Sequence, residues 1–298
     1  MSIIYHYCSM ETFQKIIEGK TLRFSDITKS NDSQETTWIL NFIVSALTRE
    51  YEKQCEEFKR KCPLEKIIKR KIRFFVDRYW GEYSLYTYFV SCFSGEEDSL
   101  NMWSRYADGG KGVAIGFDDL YLKNLVGISN CIQYDSVHYV DINTINILSE
   151  ETEHLFEKLN SCVNKGEKID YYNPPYDEYI KNIFLKAVFC KHPCFQSEKE
   201  SRSCIHWNLA HSNPTELTLS YKELKIAEVE LGKEIKDNKF KLYLDVKFNP
   251  EFFSKVLSKI IIGPKCEWTI KDISAFLHLN GLNKIPFDKI EYSTIPFV

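Results

Sequence analysis

Four stretches of this sequence hold side chains whose types and spacing let them act chemically together. The first is Gln196-Ser197-Glu198-Lys199-Glu200-Ser201-Arg202. In an extended chain, side chains two apart point the same way, so Glu198, Glu200 and Arg202 would share one face. Paired carboxylates can stabilise an oxocarbenium-like centre and activate a nucleophile, as in glycosyl transfer. The same letters also describe a solvated, salt-bridged edge strand. The second stretch is Ser91-Cys92-Phe93-Ser94 followed by Met102-Trp103-Ser104-Arg105-Tyr106-Ala107. A strand-end hydroxyl beside a short helix carrying Trp103, Arg105 and Tyr106 offers an aromatic and cationic surface to a nucleotide or ring. Trp103 and Tyr106 are three apart, which is also the spacing of a buried helix face.

The third stretch, Tyr5-His6-Tyr7-Cys8-Ser9, ends a strand at a helix N-terminus, where outward N–H groups attract anions. The competing assignment makes Tyr5 and Tyr7 core aromatics and His6 a surface residue. The fourth, Asn31 to Glu35, is explained by turn, cap and first-turn chemistry alone. Cys190, His192, Cys194, Cys204 and His206 are possible soft ligands for zinc. Their spacing matches none of the common paired-cysteine patterns, and no metal is expected. Lys59 to Arg73 is a basic run, but Glu56, Glu57 and Glu65 are interleaved, as on a solvated helix face.

The elements that must position these groups follow from hydrophobic period. Ile3 to Cys8 reads as a strand. A Ser9-capped helix with Phe13, Ile16 and Ile17 inward ends at Gly19, and Leu22 to Ser25 resumes as a strand. Apolar residues from Ile39 through Cys55 to Phe58 predict one long helix over 35–61, with Pro63 opening another to Tyr79. Strands are expected at Leu85–Phe93 and Gly112–Phe117, and helices at Ser149–Cys162 and Tyr176–Phe189. Phe240 to Phe248 alternates strictly, as a strand with one wet face does. Strands at Lys259–Ile262 and Lys289–Ser293 close the chain. No repeat or long linker appears. The expectation is a single α+β domain over 1–298, a mixed or antiparallel sheet core with helical insertions at 35–80 and 149–190.

With 44% hydrophobic residues in 298, the chain can bury a substantial core. Its 39 Lys and Arg nearly balance 42 Asp and Glu, so no global field draws it to nucleic acid or anionic lipid, and a partner must be recognised locally. No run approaches the roughly 20 apolar residues of a membrane helix. The start lacks a secretory pattern, so a cytoplasmic protein with reduced, mostly buried cysteines is expected.

These clusters resemble an uncharacterised bacterial family of unknown function, found at times near defence genes. Its pattern is Tyr-x-Tyr, Phe-Ser with Asn-Asp-Pro-x-Glu, Cys-Phe-Ser with Met-Trp-x-x-Tyr-Ala, Glu-x-Glu-x-Arg, Gly-Pro and Ser-x-Ile-Pro. The counterparts here are Tyr5 and Tyr7, Phe24-Ser25 with Asn31-Asp32 and Glu35, Cys92-Phe93-Ser94 with Met102-Trp103 and Tyr106-Ala107, Glu198, Glu200 and Arg202, Gly263-Pro264, and Ser293 with Ile295-Pro296. Ser33 stands where the family has proline. More distantly, the opening is similar to that of small ADP-ribosyltransferases. That resemblance implies an ADP-ribosyltransferase-like fold and NAD as substrate, with a protein or nucleic-acid acceptor. It implies that His6 binds the adenosine-side ribose, Ser94 sits under the nicotinamide ribose, Glu200 holds its 2′-hydroxyl and Glu198 prepares the acceptor. Tyr7, Trp103, Arg105, Tyr106 and Arg202 complete the expected binding set. In a rival reading the same residues make a nucleotide or protein sensor without turnover, and in a third the basic run and His6 serve RNA processing.

Overall fold

A computed structural model describes residues 2–29, 35–67, 86–126, 132–141, 148–167, 176–208, 218–221, 224–236, 238–283 and 285–296. Strand β1 (Ile3–Cys8), helix α1 (Met10–Gly19) and strand β2 (Thr21–Asp26) open the chain. Ser9 caps α1 by accepting the Thr12 N–H, satisfying one donor that the helix leaves open. The left-handed residue that closes the helix is Lys20 (φ 52°), not Gly19, and its N–H returns to the Ile16 carbonyl.

The long helix expected over 35–61 is two. α2 (Glu35–Glu52) stops, Cys55 adopts an extended conformation, and α3 (Glu56–Lys61) restarts. Phe58 is fully buried, its ring 6.3 Å from that of Tyr51 and 5.8 Å from that of Phe156, while Cys55 is exposed. A continuous helix would have placed Cys55 on the buried stripe. Pro63 opens α4 (Leu64–Ile67). The expected continuation to Tyr79, with the basic residues Lys69, Arg70, Lys71 and Arg73, lies outside the described residues, as does Asn31 to Gln34.

Next come β3 (Tyr86–Ser94), α5 (Leu100–Tyr106), β4 (Val113–Asp118), α6 (Asp119–Val126), β5 (Ile132–Ser136) and β6 (His138–Tyr139). Helices α7 (Ser149–Asn164) and α8 (Tyr176–Val188) precede β7 (Cys190–Lys191), a 3-10 turn at Pro193–Glu198, and β8 (Glu200–Asn208). The C-terminal third holds β9 (Thr218–Tyr221), β10 (Leu224–Lys236), β11 (Lys239–Phe248), α9 (Pro250–Val256), β12 (Leu257–Ile262), α10 (Ile270–Leu279) and β13 (Ile290–Tyr292). The fold is α+β, with a mixed, mostly antiparallel sheet.

The main sheet runs β13-β12-β4-β1-β3-β2-β11-β10-β9, with β8 also on β3 and β5 on β8. Its one parallel ladder among the described residues joins β12 to β13. β3 is the branch point. β8 pairs with it along its whole length, from Tyr86↔Asn208 to Ser94↔Glu200. Since a strand has two edges, β1 and β2 share the other one. β1 meets it at Tyr5↔Ser94, and β2 at Ser25↔Val90 and Asp26↔Phe89. Neither pairs with Ser91 to Phe93, so a window separates β1 from β2.

One face of the sheet packs on α1, α9 and α10 through Phe13, Ile17, Phe253, Ile273 and Leu277 against Ile4, Phe93, Ile115 and Ile260. The opposite face is covered in two parts. α5 brings Met102 and Trp103 onto Tyr5, Tyr7 and Ala114. The two segments expected as insertions form one helical layer: Phe42 and Leu47 of α2, Leu155 and Phe156 of α7, and Ile183 of α8 pack with Tyr88, Val90 and Cys204. Close approach also fixes the α5 end. A Cβ on Gly112 would stand 2.0 Å from the Cys8 carbonyl oxygen, so only glycine allows the turn before β4 to press on β1.

Candidate functional site

Between those two apolar clusters the sheet carries charge. A cavity of about 350 Å³ opens there, with His6, Ser94, Glu198 and Glu200 among its walls. At its floor the Lys191 ammonium lies 2.7 Å from Glu198 Oε2 and 2.7 Å from Glu200 Oε2. Arg202 donates from Nε to Glu200 Oε1 at 2.7 Å and from Nη1 to the Val188 carbonyl at 2.5 Å. On the cavity side, Glu198 Oε1 accepts from the Tyr106 hydroxyl at 2.9 Å and pairs with Arg105 Nη1 at 3.0 Å. The Tyr139 hydroxyl accepts the Glu200 N–H at 2.8 Å.

The two carboxylates do not reach this floor as neighbours on one strand. Glu198 ends the 3-10 turn and Lys199 is left-handed (φ 42°), so the strand and its alternation begin only at Glu200. Lys191 brings them together instead. Glu200 and Arg202 do share a strand face, as their spacing requires. Ser94 is also placed differently from the role the resemblance implies. Its hydroxyl donates to the Glu198 carbonyl at 2.6 Å and accepts the Glu96 N–H at 3.0 Å, so it holds the turn that presents Glu198.

Burial alone would raise the Glu200 pKa, but Arg202 and Lys191 hold it down at about 2. Burial opposes the Lys191 charge, and Glu200 and Glu198 overcome that and raise its pKa. The Tyr106 phenol is pushed up chiefly by burial. Burial lowers the His6 pKa, leaving its imidazole neutral, against a Cys92 carbonyl that favours the protonated ring.

Further along the cavity, Arg23 forks onto Asp245 at 2.9 and 3.0 Å, reaches Glu234 at 3.3 Å and lies 3.5 Å above the Tyr243 ring. Phe195 lies beneath both Lys191 and Arg105, at 4.8 and 5.1 Å from its ring centre. Six cationic and four carboxylate side chains line the space, which gives an excess of positive charge in a chain whose net charge is −3. Such a lining suits an anionic ligand with ring systems.

Trp103 does not line the cavity. It is fully buried, donates from Nε1 to Asp98 Oδ1 at 2.6 Å and packs edge-on to Tyr7 at 4.8 Å. Its three-residue spacing from Tyr106 is also that of a buried helix face. Tyr7 is a wall residue whose hydroxyl donates to the Glu96 carbonyl and accepts the Ser99 N–H. Asp98 accepts in turn from Trp103, the Ser293 hydroxyl and the Thr294 N–H, which ties the chain end to α5. Cys190 and Cys204 are buried, with thiols pushed up to about 12, while His192 accepts the Cys194 N–H. Among the described residues no three His, Cys, Asp or Glu side chains are placed to hold a metal ion. Cys92, expected among the core thiols, is exposed and lines the cavity.

Sequence reasoning missed Lys191, the centre of the network, along with Tyr139 and Phe195. The available signal was a lysine directly after the apolar run Ala187-Val188-Phe189-Cys190, where a buried ammonium requires acids. The segment holding the network is also similar to a known family model. Residues 102–203 match the family model described as Protein of unknown function (DUF2971). The DUF2971 match starts at Met102, ends one residue beyond Arg202, and contains Arg105, Tyr106, Lys191, Glu198, Glu200 and Arg202. No curated protein and no solved structure matches the chain. Among the described residues no helix is long and apolar enough to cross a membrane.

Proposed function

We propose that the cavity is the active site of an enzyme acting on NAD or a related nucleotide, by ADP-ribosyl transfer or NAD hydrolysis, in bacterial defence or stress response. The observation that carries this reading is that His6, Ser94, Glu198 and Glu200, separated by up to almost 200 residues in the chain, line one cavity. The cationic excess suits the diphosphate, and the Tyr106 and Phe195 rings suit the base. In the reaction the bond from ribose C1′ to the nicotinamide nitrogen breaks and its electron pair leaves with nicotinamide. C1′ becomes an oxocarbenium centre, and water or an acceptor nucleophile adds to it and loses a proton to solvent.

Glu200, ionised and weakly basic, supports that positive centre electrostatically rather than as a base. Glu198 is the acid whose bonds a ligand can exchange, because Arg105 is partly exposed and can turn toward a phosphate. Ser94 positions Glu198. The test is nicotinamide release from NAD by the purified protein; its absence with every acceptor offered sinks the reading.

A second reading, a nucleotide-binding module without turnover, is favoured by one observation. Each carboxylate oxygen of Glu198 and Glu200 already has a cationic or hydroxyl partner. That reading requires thermal stabilisation by NAD with no nicotinamide formed.

A further inference from the structure

The window between β1 and β2 contains a polar group that the network leaves unused. Ser91 is 2% exposed, and its hydroxyl has no hydrogen-bond partner among the described residues. It nevertheless lines the cavity. A buried hydroxyl left unpaired is costly, and native proteins retain few of them. Other groups on the wall of the same cavity define what could pair with it. His6 Nδ1 lies 3.0 Å from the Cys92 carbonyl oxygen, and a carbonyl only accepts, so Nδ1 carries the proton and Nε2 of the neutral ring is an acceptor. Asp26, also on the cavity wall, is an acceptor held by the Thr28 N–H and hydroxyl at 2.9 and 2.7 Å. Where an imidazole acceptor and a carboxylate share the wall with Ser91, a phosphate would meet lone pairs. A sugar hydroxyl, which both donates and accepts, fits.

We infer that Ser91 is a ligand-recognition residue whose hydroxyl bonds a ribose hydroxyl of the bound nucleotide at the β1–β2 window. This rests on the nucleotide reading above but not on turnover. Ribose enters the window, and the phosphates lie toward Arg105, Lys29 and Lys241 on the remaining wall.

The experiment compares ADP with 2′-deoxy-ADP by calorimetry on the full-length protein and on Ser91→Ala. Wild type is expected to prefer ADP by about tenfold, the worth of one hydrogen bond, and Ser91→Ala to bind both alike. Without ligand, Ser91→Ala is expected to melt no lower than wild type, since the lost hydroxyl had no partner, so the lost preference is not lost fold. Should Ser91→Ala fold poorly, Ser91→Cys, similar in size with a weaker donor, gives the same reading. A preference retained in the variant, or no binding of ADP to wild type, overturns the inference. Nicotinamide release with a preference independent of Ser91 overturns the inference alone. A Ser91-dependent preference without release overturns only the catalytic reading.

Discussion

Lys191 Nζ lies 2.7 Å from Glu200 Oε2, and the same ammonium holds Glu198 at the same distance, so one cation joins an acid from a turn to an acid from a strand. Removing one partner from a buried ion network leaves uncompensated charge and costs about 3–5 kcal/mol. Lys191→Met is therefore expected to lose about that much stability in urea unfolding. A loss under about 1 kcal/mol, typical of exposed pairs, would show that water already solvates these acids.

The network also sets a pH dependence. Folding lowers the Glu200 pKa from 4.5 to about 2, so its contribution is fully present above the unfolded value and is lost as pH falls through the folded one. Lys191 acts at the other end. Its pKa is raised, so its contribution is present below the ordinary lysine value and is lost only as pH rises past the raised one. Thermal unfolding of wild type is expected to weaken steeply between about pH 4.5 and pH 2, and that of Glu200→Gln less steeply. Parallel acid limbs in the two proteins would contradict this.

Much of the scaffold was legible because it follows local rules. The Ser9 cap, the inward face of α1 and the helices α7 and α8 stand where hydrophobic period put them, and in β11 the alternation holds for Leu244, Val246 and Phe248 while Phe240 is exposed. What was not legible depends on chain reversal or distant partners. The left-handed Lys199 breaks the strand expected to align Glu198 with Glu200, and no local pattern marks it. Lys191 is meaningful only once β7 and β8 are brought together, and Trp103 left the expected ligand set because Asp98 and Tyr7 enclose it.

Trp103 supplies a test of that correction. Its indole N–H bond to Asp98 and its burial predict that Trp103→Ala destabilises by about 3–5 kcal/mol, and that Trp103→Phe, which keeps an aromatic ring, loses only about 1 kcal/mol for the missing hydrogen bond, since Ser293 still donates to the same Asp98 oxygen. Urea unfolding measures both. The affinity of Trp103→Phe for NAD, measured by calorimetry, is expected to match wild type, and a tenfold loss would return the residue to the ligand set.

Cys92 reports occupancy of the cavity. It is exposed on the cavity wall, whereas Cys55 is exposed at the break between α2 and α3 and does not line that cavity. Saturating NAD is expected to slow alkylation of Cys92 by iodoacetamide at least several-fold, read by peptide mass spectrometry, with the rate at Cys55 unchanged. Equal rates with and without NAD at both thiols would place the nucleotide elsewhere.

The most direct measurement is nicotinamide release from NAD by the full-length protein, followed beside Glu198→Gln and Glu200→Gln with water, protein and single-stranded nucleic acid as acceptors. Wild type is expected to release nicotinamide, and each variant to lose about 10²–10³ in kcat, the usual cost of removing one preorganised electrostatic group. No release by wild type with any of the three acceptors would contradict the assignment.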